Sequence, residues 1–192
     1  MQNPQTPDAL FGLLARRSGS ESRAFSAIED LSSQLGLENG SARDVLAAMA
    51  LVRDGVPPES VSSLMSWREF EEFCAKMLRA SGYSVKHNIV ITKPRRQIDI
   101  FADSPNLALS IDCKHWGRGF APSSLRRIVA EQVERTTLYK KKMKLEVPVL
   151  PVVLTLLDSS VRLVEGVPIV PVFAMRDFIT SVSGFEEGLA VI

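Results

Sequence analysis

Two aspartates sit where a charge is expensive. Asp99 lies within Ile98-Asp99-Ile100, and Asp112 lies within Ser110-Ile111-Asp112-Cys113-Lys114. Both segments read as short strands. A carboxylate inside a core strand is costly unless it is paired or holds a metal ion. Side chains alternate along a strand, so Asp112 and Lys114 share one face, and Ile111 and Cys113 share the other. The stretch Ala102-Asp103-Ser104-Pro105-Asn106 is rich in turn formers and separates the two strands. A hairpin centred between Ser104 and Pro105 sets Asp99 opposite Ser110 and diagonal to Asp112. Both carboxylates then point the same way, within reach of one ion. A one-residue slip would put them on opposite faces. The bland alternative is a buried Asp–Lys ion pair with no catalysis.

A third acid comes from a helix. Ser66 and Glu69 form a capping box for a helix from Trp67 to about Ser81, ended by Gly82. Trp67, Phe70, Phe73, Cys74, Met77 and Leu78 make its apolar stripe. Glu71 falls on the flank of that stripe; Glu69 and Glu72 fall on the polar side. A later helix, capped by Ser123 or Ser124 and running to about Lys144, has Leu125, Ile128, Val129, Thr136, Tyr139 and Met143 as its stripe. Gln132 lies in the middle of it. A buried amide needs partners, either backbone groups or the carboxylate cluster.

These residues need a scaffold. Tyr83 to Ile91, Gln97 to Phe101 and Leu107 to Lys114 read as strands, with Thr92-Lys93-Pro94-Arg95-Arg96 as a basic loop. Val147 to Leu157 and Val167 to Ala174 read as buried strands, and Arg176 to Val182 as a closing helix. The order is helix, three strands, helix, two strands, helix. Early hairpins and a later helical crossover give an α/β mixed sheet flanked by helices. Residues 1–60 read as a small helical N-terminal region, from Ser20 to Leu35 and from Ser41 to about Asp54. Their stripes include Phe25, Ile28, Leu31, Leu35, Val45, Leu46 and Met49. Packing or dimerisation is the expected role, with a helix-turn-helix as the alternative. The boundaries are then 1–60, 61–184 and a tail of 185–192.

Composition narrows the classes. In 192 residues, 45% are hydrophobic and 23% charged, which excludes disorder and fibrous repeats. The longest largely apolar run, Val147 to Leu157, contains two prolines and is too short to span a membrane. No secretory pattern opens the chain, so a cytoplasmic location is expected. Two cysteines (Cys74, Cys113) and two histidines (His87, His115) make neither a disulfide framework nor a zinc set. Gly117-Arg118-Gly119 is too short for a phosphate-binding loop, and no small-molecule cofactor is expected. The net charge of +1 hides an asymmetry. Residues 1–65 carry five basic and eight acidic side chains, whereas residues 86–144 carry thirteen basic and five acidic. A basic middle segment suits a polyanion, although a solvated face has the same composition.

The set Phe70-Glu71, Gly82-Tyr83, Gln97-Ile98-Asp99 and Asp112-Cys113-Lys114-His115-Trp116 resembles the PD-(D/E)xK nucleases. Within them it is similar to Mrr-like restriction endonucleases and archaeal Holliday-junction resolvases. The helix with Gln132 and Tyr139 is similar to the Gln-and-Tyr helix of related nucleases. The resemblance covers roughly residues 66–182. It departs in using Asp112 where Glu is commoner, and Ile98 where the name of the family has Pro.

The resemblance implies a restriction-endonuclease-like fold and a metal-dependent DNA endonuclease of restriction or repair type. It implies Asp99, Asp112, Glu71 and the carbonyl of Cys113 as metal ligands, Lys114 as the catalytic lysine and Gln132 as a site residue. Mg²⁺ suits such oxygen ligands, with Mn²⁺ as a substitute. It activates water and stabilises charge at the phosphate. Lys93, Arg95, Arg96, His115, Arg118, Arg126, Arg127, Lys140, Lys141 and Lys142 are the candidate contacts to double-stranded DNA. The lysines at the end of their helix also suit its dipole. Trp116 reads as packing. Cleaving both strands calls for two sites, hence a homodimer. Two other readings stay open: a non-catalytic DNA-binding module of the same fold, and a structure-selective junction nuclease.

Overall fold

The computed structural model describes residues 66–115, 122–157, 159, 161–182 and 188–192. The helical N-terminal region expected over residues 1–60, together with Trp116 and Arg118, lies outside the described residues. The chain divides into two compact units, Met1–Lys76 and Met77–Ile192. The division falls inside helix α1 (Trp67–Ala80).

Within the first unit, Phe70, Phe73, Cys74 and Ala75 are buried, and Glu71 is buried beside them. Trp67, placed in the stripe by its spacing, is instead 37% exposed. Its indole N–H donates to the Glu71 carboxylate one turn later, and that bond holds the ring at the rim of the buried face. Glu72 is half-buried. The helix ends in the second unit, where Gly82 adopts φ +89°. The N–H of Tyr83 donates to the carbonyl of Leu78, and that of Gly82 to Arg79. This double closure needs a left-handed residue, which glycine supplies.

The second unit is built on strands β1 (Ser84–Thr92), β2 (Arg95–Asp103), β3 (Ala108–Lys114), β4 (Val149–Thr155), β5 (Leu163–Val164) and β6 (Val167–Pro171), with helices α2 (Pro122–Met143) and α3 (Met175–Ser181). Their order across the sheet is β1-β2-β3-β4-β6-β5. β1, β2 and β3 pair antiparallel as hairpins. α2 carries the chain over to β4, which pairs parallel with β3 and with β6. The short β5, not foreseen from its two residues, is held by a tight turn at Glu165-Gly166 where both residues have positive φ. A Cβ on Gly166 would come within 2.8 Å of the Ala190 backbone nitrogen.

Some expectations shifted, among them the last strand, which ends at Pro171 and passes into a 3-10 helix over Val172–Ala174. Arg95 and Arg96 belong to β2, not to a loop, so Lys93-Pro94 alone connects β1 and β2. Met143, counted in the stripe of α2, is 48% exposed at the last residue of the helix. The rest of that stripe is buried. Tyr139 packs with Ile98, Phe101, Ala108 and Val149; Leu125, Ile128 and Val129 pack with Val153, Val167 and Ile169. Phe101 and Tyr139 meet edge-on, ring centres 4.8 Å apart. On β3 and β4 both faces are buried, as their near-continuous apolar runs require. β1, at the sheet edge, alternates exposed and inward positions, the inward ones half-buried except for buried Ile91. The chain end docks on the sheet: Ile192 exchanges two backbone hydrogen bonds with Val149 at 2.9 and 3.1 Å. No helix among the described residues is long and apolar enough to cross a membrane.

Candidate active site

The site forms where the β2–β3 hairpin opens. The paired register runs Ala102–Leu109, Phe101–Ser110 and Ile100–Ile111. Continued one step, it sets Asp99 directly opposite Asp112. The sequence reading placed Asp99 opposite Ser110 and only diagonal to Asp112, so its register is corrected here. The turn explains the difference. Ser104 Oγ donates to the carbonyl of Leu107 at 2.8 Å and accepts its N–H at 3.3 Å. That closes Ser104–Leu107 and centres the hairpin one residue later, between Pro105 and Asn106. The displacement moves each partner by two positions, an even number, so both acids keep one face.

Beyond Ile100–Ile111 a side chain takes over from the backbone ladder. The N–H of Cys113 donates to Asp99 Oδ2 at 2.8 Å. Asp99 is 8% exposed and Asp112 1%. Burial pushes the Asp99 carboxyl above the usual carboxylate range, and the Asp112 charge adds to the rise. The Cys113 N–H, Lys114 and Arg135 act the other way. Lys114 Nζ lies 2.8 Å from Asp112 Oδ2, a charge contact without the alignment of a good hydrogen bond.

α2 sends two polar side chains to the same face. Gln132, fully buried, donates from Nε2 to the carbonyl of Ser110 at 2.7 Å and to its hydroxyl at 3.3 Å. Of its two expected uses, backbone anchoring and reaching the carboxylates, the amide makes the first. The residue that reaches a carboxylate is Arg135, whose Nη1 lies 2.9 Å from Asp112 Oδ1. Sequence reasoning passed over it as one more cation in a basic segment. A signal was there: Arg135 falls three residues after Gln132 and four before Tyr139, within the buried stripe of α2.

Among the described residues no three His, Cys, Asp or Glu side chains group as a metal cluster. Two acidic side chains, Asp99 and Asp112, brought to one face suit an ion that keeps several waters, such as Mg²⁺, and do not suit a zinc-type cage. Gln132 Oε1 and Arg135 Nη2 are buried and lack a hydrogen-bond partner among the described residues. Such polar capacity fits a site that takes up water or an anion.

The candidate DNA contacts are spread out. Lys93 and Arg95 are exposed on the β1–β2 hairpin. Arg96 is tied to Glu134 of α2 by two contacts, at 2.8 and 3.3 Å. Arg126 and Arg127 are exposed near the start of α2, with Arg127 4.0 Å from Glu131. Lys141 and Lys142 are exposed at its far end, roughly 20 Å away at 1.5 Å per residue. Lys140 donates to the carbonyl of Ile192 at 2.6 Å, and His115 is half-buried.

A six-stranded mixed α/β sheet, with opposed aspartates and a lysine two residues along one strand, defines a restriction-endonuclease-like fold. Residues 62–143 match the Mrr_cat family, described as "Restriction endonuclease", and this segment is similar to the nuclease domains of that PD-(D/E)xK type. An uncharacterized protein of Archaeoglobus fulgidus is 28% identical over 120 residues, covering 61% of this chain and 92% of the relative.

Proposed function

We propose that the domain is a divalent-metal-dependent endonuclease that hydrolyses phosphodiester bonds in double-stranded DNA. The observation that carries this reading is the gathering of Asp99 and Asp112 at the open end of the hairpin, where the Cys113 N–H donates to Asp99 and Lys114 lies 2.8 Å from Asp112. Asp99, Asp112 and the Cys113 carbonyl would hold Mg²⁺ or Mn²⁺, which when bound lowers the pKa of water and screens the phosphate charge. Lys114 lies where it can orient a water or meet the developing anion. Gln132 holds β3 in place behind Asp112 through Ser110. Glu71 is carried ahead of Glu72 because it is the more buried acid of α1. The domain is proposed to span residues 61–184 and to act in the cytoplasm as a homodimer.

The test is cleavage of plasmid, linear, branched and single-stranded DNA with Mg²⁺, Mn²⁺ or EDTA. Cutting that needs metal and vanishes in Asp99→Ala, Asp112→Ala and Lys114→Ala is expected. Glu71→Ala should be slower, and Glu72→Ala should match the parent. Full activity of Asp112→Ala contradicts the assignment. One observation favours a second reading: both oxygens of Asp112 already face cations, Lys114 and Arg135. A protein that binds DNA and cuts none of these substrates with either metal would be a binding module of this fold.

A further inference from the structure

Count the charges on the face that holds the site. Asp99 and Asp112 are matched by Lys114 and Arg135, so the ionised set is neutral before any metal arrives. Two carboxylates and one lysine would leave a net negative charge to attract a divalent ion. Arg135 removes it, and does so at an oxygen a metal would need.

Its hold is specific. Nη1 lies 2.9 Å from Asp112 Oδ1 and 3.4 Å from the carbonyl of Gln97 on β2, while Nε donates to the carbonyl of Glu131 at 3.1 Å. The side chain is only 13% exposed, and Asp112's is 2%. In such a dry setting an ion pair is screened little, so displacing the arginine from the carboxylate is a substantial part of any ion's binding. Nη2 meanwhile has no acceptor among the described residues. A guanidinium with unused donors beside a candidate phosphate site has an evident alternative partner, since its planar fork matches phosphate oxygens.

We propose that Arg135 is an internal counter-ion that competes with a divalent cation for Asp112, weakening metal binding in the absence of substrate. An arriving phosphate restores negative charge and accepts the guanidinium, so metal and substrate are taken up together. Arg135 is thus a positioning residue acting through Asp112. This rests on the metal reading of the same site.

Mn²⁺ binding to the DNA-free protein, measured by titration calorimetry, tests it. Arg135→Gln keeps a donor for Gln97 and removes the charge. It should bind Mn²⁺ about tenfold tighter than the parent, as expected for roughly 1.4 kcal/mol of lost competition. Asp112→Asn should bind more weakly than the parent. If the parent and Asp112→Asn bind alike, the metal reading falls and this proposal falls with it. If Asp112→Asn loses binding but Arg135→Gln binds no tighter than the parent, only the counter-ion role is overturned. Should Arg135→Gln be too unstable for calorimetry, thermal melts decide: Mn²⁺ must raise its midpoint above that in EDTA by more than the parent's. Arg135→Lys, which keeps the charge on a shorter side chain, should fall between the two. Equal midpoint shifts for parent and Arg135→Gln overturn the proposal.

Discussion

The environment of Asp99 works against its charge. Burial and the facing Asp112 raise its carboxyl, and the Cys113 N–H with two cations only partly offset them. In the unfolded chain this group titrates near the ordinary value of about 3.9. The folded protein therefore keeps the proton to higher pH. The stability this contributes is complete below the unfolded pKa and is lost as pH rises through the folded one. Asp99→Asn keeps an acceptor for Cys113 and cannot ionise. In EDTA its urea-unfolding free energy should gain on the parent's as pH is taken from acid to neutral. A difference that does not change with pH would show that Asp99 carries no raised pKa.

At the scale of elements, α2 is the part that makes the site. It is anchored to β3 by Gln132 and to β2 by the Phe101–Tyr139 contact. Gln132→Ala removes a buried donor and leaves Ser110 unmatched, so a loss of about 1–3 kcal/mol in denaturant unfolding is expected. Phe101→Ala empties a fully enclosed ring site and should lose about 3–5 kcal/mol. If both variants unfold at the parent's denaturant midpoint, α2 is not held to the sheet as described. Gln132→Ala should also slow cleavage without changing salt dependence, because Gln132 stands behind Asp112 and touches no candidate DNA contact.

For the whole molecule, the basic residues divide by whether they are engaged. Arg96 is paired with Glu134, and Lys140 with the Ile192 carbonyl. Arg95 and Lys141 are exposed, and among the described residues neither makes an ion pair with an acidic side chain. DNA affinity measured in Ca²⁺ should fall steeply with salt, with a log–log slope of roughly −4 if four or five phosphates are touched. Arg95→Ala and Lys141→Ala should reduce that slope by about one each. Arg96→Ala and Lys140→Ala should reduce it less. An affinity flat in salt means that the basic residues are only a solvated surface. Assembly is tested by light scattering on the full chain and on a version starting near Pro58. A dimer that becomes a monomer on truncation is expected; a monomer in both removes the dimer from the proposal.

What was legible in the sequence was local. Alternation and helical spacing marked β2, β3, α1 and α2, because burial of one face leaves a period in the residues. The misfit of Asp99 and Asp112 inside apolar strands was visible for the same reason, since an unpaired charge does not persist in a core. Gly82 as a helix stop needed only its own backbone freedom. The register of the hairpin was not legible, because it hangs on which four residues close the turn. The Ser104 hydroxyl decided that through bonds that leave no period in the sequence. Arg135 was hidden for a related reason. A cation on a helix near other cations looks solvated until tertiary packing sets it over Asp112, a partner 23 residues earlier in the chain. Such a contact is decided by how α2 lies on the sheet, and only the folded structure contains that geometry.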